Sequence, residues 1–411
     1  MRLTRPEDLK KIVRKLRQKE DVGARVVRDI LEDVDRCGDR ALFRYSLKFD
    51  GVTPTSLQVP IPILRKGYRS MDPSLKESLQ KSAERIRTYH CSQKQNNSFS
   101  FHREGIRVYY RSVPLTRVGI YIPAGKAPLV STVLMTVIPA SVAGVKEIVA
   151  CSPPSNNGSV HPAVAGALYM LGVRKVYAVG GAQAIAAMAY GTETVCKVDK
   201  VIGPGNLYVN EAKRLIFGRT GIDLLAGPSE LVVLADSSAD AEMVVADLSA
   251  QAEHGSSPIF FITTDSALGE KVAKKVDTGW WFQVASIEEG LALANAIAPE
   301  HLEIIAKNAR TLASKAIAGA VFLGNFSPCA MGDYFAGPSH VLPTGGSASF
   351  LSGLSVFDFL RSFATIEGSR EGMQKQAMTG ETIASFEGME LHRRSLELRR
   401  KKNSADSKKK V

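Results

Sequence analysis

An alternation that occurs twice constrains this chain more than anything else in it. Over 115–235, short apolar runs that end at proline or glycine ("RVGIYIP", "KEIVACSPP", "KVYAVGG") are separated by helix-like stretches, "HPAVAGALYMLG" and "AQAIAAMAYG". "KVDKVIGPGN", "NEAKRLIFG" and "GIDLLAGPSELVVLAD" continue the pattern. Short strands alternating with helices predict an α/β unit with a mainly parallel sheet. A second round follows: helix "AEMVVADLSAQAEHG", strand "SPIFFITT", helix "SALGEKVAKKVDTG", strand "FQVAS". "IEEGLALANAIAPEHLEIIAKNARTLASKA" then reads as helix, break, strand and helix, and "GAVFLGNFSP" closes it. Two α/β units in series are therefore expected. The lack of a fixed-period repeat excludes a solenoid. Regions 21–113 and 350–400 read mainly as helices, from apolar residues at three and four spacing.

The formal net charge of +12 would suggest a nucleic-acid partner if it were spread over the chain. It is not. Residues 1–20 hold eight Lys/Arg against three Asp/Glu, and residues 393–411 hold nine against two, so the middle is close to neutral. The first stretch reads as a basic amphipathic helix and the last, "RRKKNSADSKKKV", as a solvated tail. Five scattered cysteines with no CxxC spacing suggest neither a zinc knuckle nor a disulfide framework, and fit a reducing compartment. The start lacks the apolar core of a signal peptide. The uncharged stretch 127–145 is interrupted by Pro128, Pro139 and several Ser/Thr, which argues for a buried helix and turn over a membrane span.

Two glycine-rich turns follow strands, "VGGAQA" (179–184) and "IGPGNLY" (202–208), where a dinucleotide phosphate could meet backbone N–H groups. Neither is GxGxxG, since Tyr208 stands where a third glycine would be. Of seven histidines, His90, His102 and His161 read as structural, whereas His254, His301, His340 and His392 fall in dense polar motifs. If "AQAEHG" is helical, Gln251 and His254 share one face. With Asp333 and His392 they form a mixed set that zinc accepts, although spacing alone does not separate a metal site from a structural cluster. Glu300 and His301 are consecutive, which suits either proton transfer at one place or a favoured helix start.

Together these stretches resemble the histidinol dehydrogenase family, which carries out the last two oxidations of histidine biosynthesis. The resemblance is carried by "VGGAQAIAAMAYGTETV", "KVDKVIGPGNLYVNEAKR", "GIDLLAGPSELVVLAD", "LSAQAEHG", "APEHLE", "GDYFAGPSHVLPTGG" and "SGLSVFDF", in order over roughly 25–400. It implies two Rossmann-like, aldehyde-dehydrogenase-like parallel-sheet domains with small helical N- and C-terminal segments. The expected divisions are a basic helix at 1–20, a helical start to the first domain at 21–113, a second domain with most NAD contacts at 114–229, the rest of the first domain at 230–365, and a C-terminal segment at 366–411. It implies Zn2+ held by Gln251, His254, Asp333 and His392, and a proton-handling pair, Glu300 and His301. Substrate contacts would come from Ser229, His340 and Glu387 together with Gln251, His254, His301, Asp333 and His392. NAD contacts would come from Tyr121, Gln183 and Asn206.

The resemblance further implies a cytoplasmic homodimer with no membrane or nucleic-acid role, in which the C-terminal segment crosses to the neighbouring subunit. On one continuous helix, Glu387 and His392 would lie about 140° apart, so facing a single ligand needs a helix end or bend near Gly388. Ala124, Leu129 and Val130 stand where relatives have Gly, Tyr and Pro, and Ser349 where an Arg is common. Two other functions are weighed against this one: a paralogue oxidising another small polar alcohol such as a sulfonated diol, and a basic-ended protein binding RNA or an acidic surface.

Overall fold

All five residues of strand Leu231–Ala235 are buried, as are all five of Ile259–Thr263, so neither strand has a face for water. The computed structural model describes residues 1–17, 23–94, 98–124, 127–253 and 257–405, and it covers both faces of these strands. They belong to a six-stranded parallel sheet ordered Arg2–Leu3, Trp280–Gln283, Ile259–Thr263, Leu231–Ala235, His301–Ile305, Ala320–Leu323. Alternate side chains feed two cores. Val232 and Leu234 pack with Leu291, Ala294 and Ile297 of helix Ile287–Ile297, and with Leu9 of the basic helix Leu9–Arg17. Leu231 and Val233 pack instead with Val244 and Leu248 of helix Ala241–Ala252 and with Leu268 and Val272 of helix Ser266–Ala273.

A second, five-stranded parallel sheet is ordered Lys175–Ala178, Glu147–Ser152, Arg117–Tyr121, Lys200–Ile202, Gly221–Ile222. In both sheets the chain builds outward from a central strand, then returns to that strand's other side. This creates a topological switch point. The uncharged stretch becomes helix Val130–Ala143, almost wholly buried. Pro139 inside it has no N–H for the carbonyl of Met135, and the Ser339 hydroxyl donates to that carbonyl instead, at 3.0 Å. A helix irregularity thus anchors the "GPSH" segment. No helix among the described residues is long and apolar enough to cross a membrane.

These two sheets lie in one compact unit, Met1–Lys94 with Leu115–Phe359; the second unit is Gln95–Pro114 with Leu360–Val411. The second unit departs from the helical expectation. It holds an antiparallel sheet of Phe99–Arg103, Ile106–Pro114 and Leu360–Gly368. The hairpin turns at Glu104 (φ 50°) and Gly105 (φ 77°), the positive pair that a tight two-residue connection needs. Its strands are mostly exposed, so they lack the buried apolar run that marks the other strands. Helices Arg370–Phe386 and Glu390–Ala405 follow, joined by a bidentate Arg400–Glu381 pair at 2.7 and 2.8 Å.

Candidate active site

Strand register assembles the chemistry. His301 is opposite Leu231, and its N–H donates to the Glu230 carbonyl at 3.0 Å. Ser229–Glu230 and Glu300–His301 therefore sit side by side at the amino ends of two adjacent strands. The Ser229 hydroxyl donates to Glu300 Oε2, and Glu230 N donates to the same oxygen at 3.2 Å. Gln251 Nε2 donates to Ser229 Oγ at 2.7 Å. His301 Nδ1 lies 3.8 Å from Glu300 Oε2. Gln251 occupies the same buried stripe as Ala241, Val244 and Leu248, in the last turn of its helix. Burying an amide where an apolar side chain would serve is costly unless it is bonded. Here its nitrogen is bonded, which leaves Oε1 as the end with lone pairs to offer.

Burial pushes the Glu300 carboxyl up to about 8, and the charges of Asp333 and Glu230 add to this; the bonds from Ser229 and Glu230 N oppose it. Burial likewise pushes Glu230 up to about 7, against the pull of Gly345 N, which donates to its Oε2 at 3.1 Å, and of the Arg17 charge. Glu230 and a further buried acid, Glu303, went unnoticed in the sequence. Glu303 is pushed up by burial and by the facing Asp247 carboxylate, while its Oε1 accepts from Cys329 N at 2.7 Å. Asp247 stands one turn before Gln251, Glu303 two residues after His301, and Cys329 one turn before Asp333. These acids join the three elements that carry the site. Their sequence signal was weak: Glu303 lies in a five-residue strand, HLEII, between two apolar neighbours.

The other group of expected residues lies at the carboxyl ends of the five-stranded sheet, around its switch point, where open α/β sheets bind ligands. Tyr121 ends the central strand, and its hydroxyl accepts from Gly181 N at 3.1 Å; burial pushes that hydroxyl up to about 12. Gly180 and Gly181 open helix Gly181–Tyr190, in which Gln183 is 1% exposed and neither end of its amide has a partner among the described residues. Asn206 caps helix Leu207–Ile216, its Oδ1 accepting from Val209 N at 3.0 Å. Two glycine turns at helix starts and an orphaned buried amide fit a dinucleotide. His340 Nε2 lies 3.4 Å from Thr132 Oγ1.

Asp333 is half-buried in helix Cys329–Tyr334. His254 lies outside the described residues. Glu387 and His392 are exposed in the second unit, and the chain breaks between them: one helix ends at Phe386, Gly388 has φ 71°, and the next helix starts at Glu390. Among the described residues, no three His, Cys, Asp or Glu gather as a metal-binding group.

The fold itself is shared with an acetylating aldehyde dehydrogenase from Geobacillus thermoglucosidasius (TM-score 0.51, 13% identity, 89% and 95% of the two chains), which defines an aldehyde-dehydrogenase-type α/β architecture. Sequence is more specific. The histidinol dehydrogenase family model matches residues 13–400. A histidinol dehydrogenase from Gluconobacter oxydans is 42% identical over 92% of this chain and 93% of its own. The structure of another, from Elizabethkingia anophelis, aligns with TM-score 0.90 and 34% identity over 98% of both chains. The chain belongs to the histidinol dehydrogenase family, whose members are NAD-dependent oxidoreductases.

Proposed function

We infer that this chain oxidises L-histidinol through histidinal to L-histidine, using two NAD and a zinc ion. The observation that carries this reading is the bonded run Gln251–Ser229–Glu300 with His301 beside it, in a chain of this family. The donors suit zinc: the bond to Ser229 leaves the Gln251 amide oxygen available, and the Asp333 carboxylate crowds Glu300 with a charge that a cation would offset. Gln251, His254, Asp333 and the partner subunit's His392 would hold the ion. Bound zinc supplies an anchor for the substrate's imidazole and amine, and bound NAD accepts one hydride in each half-reaction.

The protein's own groups handle protons and position. His301 takes the hydroxyl proton as the carbinol C–H bond gives up its hydride, leaving the aldehyde. Glu300, as carboxylate, takes a proton from the water that adds to the aldehyde carbon, while protonated His301 returns its proton to the former carbonyl oxygen, giving the gem-diol and a neutral imidazole again. His301 then accepts a hydroxyl proton of the gem-diol as the second hydride leaves, and the carboxylate product forms. Ser229 and the partner subunit's Glu387 hold the substrate amine, His340 lines the pocket, and Tyr121, Gln183 and Asn206 hold NAD. L-Histidinol and a sulfonated diol, each supplied with NAD, separate this function from the paralogue's: turnover of histidinol is expected, and turnover of the diol alone would overturn it.

The homodimer is part of the same proposal. Next to Glu387 and His392, Phe386 is 94% and Leu391 79% exposed, an apolar patch that a second copy would cover. Mixing two variants that each fail to form histidine, Glu300→Gln and His392→Ala, and following histidine formation then tests whether sites are shared. Random reassortment should restore about a quarter of wild-type activity, because half the dimers are mixed and each has one intact site. No recovery after verified subunit exchange would show that each chain serves itself. A cytoplasmic location suits five cysteines, none of them paired.

A further inference from the structure

Lys213 and Asp223 form an ion pair with side chains 0% and 1% exposed, and neither takes part in the chemistry above. Withdrawing two charges from water is unfavourable, and apolar side chains often fill such places at no loss of stability. What this pair does that apolar side chains cannot is directional. Lys213 Nζ donates to the Gly203 carbonyl at 3.0 Å, and Gly203 N donates to Asp223 Oδ2 at 2.8 Å. One buried pair grips both backbone polar groups of a single glycine. Gly203 has φ +120°, and a Cβ there would lie 2.2 Å from the Tyr121 carbonyl oxygen, so its backbone is pressed against the end of the central strand. Three residues on, Asn206 caps the helix that carries Lys213. Beyond the turn, Asn210 Nδ2 donates to the carbonyls of Gly205 (2.9 Å) and Ala226 (2.5 Å).

We propose that Lys213 and Asp223 are positioning residues for the cofactor: their ion pair fixes the Gly203–Asn206 turn in the shape that presents Asn206 and Tyr121 to NAD. The inference rests on the assignment of Asn206 and Tyr121 as NAD contacts. A side chain that only stabilised the fold would act through melting temperature alone, whereas a positioning pair acts on cofactor affinity even where stability is partly restored.

The test is calorimetric titration of NAD into the zinc-loaded full chain, with thermal unfolding alongside. The variants are Lys213→Met, Asp223→Asn, the double variant Lys213→Met/Asp223→Leu, and Asn206→Ser, which keeps the helix cap. Each single clamp variant should melt lower and bind NAD roughly tenfold or more weakly. The double variant removes both buried charges but leaves the Gly203 N–H and carbonyl unpaired, so it should melt above the single variants and below wild type, yet still bind NAD weakly, with a raised KM for NAD and an unchanged KM for histidinol. Wild-type NAD affinity in the double variant overturns the proposal. If that variant does not fold, Asp223→Asn decides, since wild-type NAD affinity there is equally contradictory. Asn206→Ser separates the two levels. If it binds NAD normally, the NAD assignment of the turn falls, and the proposal with it. If it weakens NAD while the clamp variants do not, only the clamp falls.

Discussion

Glu300→Gln is expected to slow oxidation of histidinal by roughly 10²–10⁴-fold while slowing oxidation of histidinol far less, because only the aldehyde step needs a base for water. The amide keeps the shape of the acid, and its oxygen can still accept from both Ser229 and Glu230 N. Feeding alcohol and aldehyde separately, in single turnovers, checks this, and equal slowing of both would remove Glu300 as the water activator. The variant has a second expected signature. In the metal-free protein, burial raises Glu300 to about 8 and Glu230 to about 7. Raised carboxyls stabilise the fold below their unfolded values and lose that contribution as pH rises through the folded ones. Metal-free wild type should therefore melt progressively lower as pH climbs from about 5 to about 8. Glu300→Gln should show a shallower fall and, at pH 8, a gain on the order of a few kcal/mol. A residue that the chemistry needs as an anion is, on this account, a stability cost. A bound cation would lower the Glu300 value and offset part of that cost.

Asp333→Ala is expected to strip the metal. The other proposed ligands, an amide and two imidazoles, are neutral, so Asp333 supplies the set's only negative charge. Zinc content after dialysis against a weak chelator should fall below about a tenth of the wild-type value, with kcat lower by about 10³-fold or more. Full zinc content in Asp333→Ala would refute the ligand assignment.

The parallel sheets were legible because a strand buried on both faces writes itself as an unbroken apolar run, as Leu231–Ala235 and Ile259–Thr263 do. Gln251 was legible for a related reason: an amide on a buried stripe is an exception that asks for a partner. The antiparallel sheet was harder. Phe99–Arg103 is exposed throughout, and only the "EG" turn between Phe101 and Val108 marked the hairpin. Glu230 was missed because a Ser-Glu pair ahead of a strand reads as loop, and its burial depends on a neighbouring strand seventy residues away. Lys213 and Asp223 were missed because "AKR" on an amphipathic helix reads as a solvated face. Nothing local says that a helix packed against a glycine turn will turn its lysine inward. The rule that ligands bind at the carboxyl ends of strands holds for Tyr121 and Asn206, whereas Ser229 and Glu300 stand at the amino ends of theirs.

The central claim is that one site performs both oxidations before letting go. The most direct measurement is the NADH formed per L-histidinol consumed, followed with an aldehyde-trapping reagent present and repeated after chelation. Two NADH per histidinol with no trapped aldehyde, and no NADH once the metal is removed, is the expected result. One NADH per histidinol with stoichiometric trapped aldehyde would contradict it.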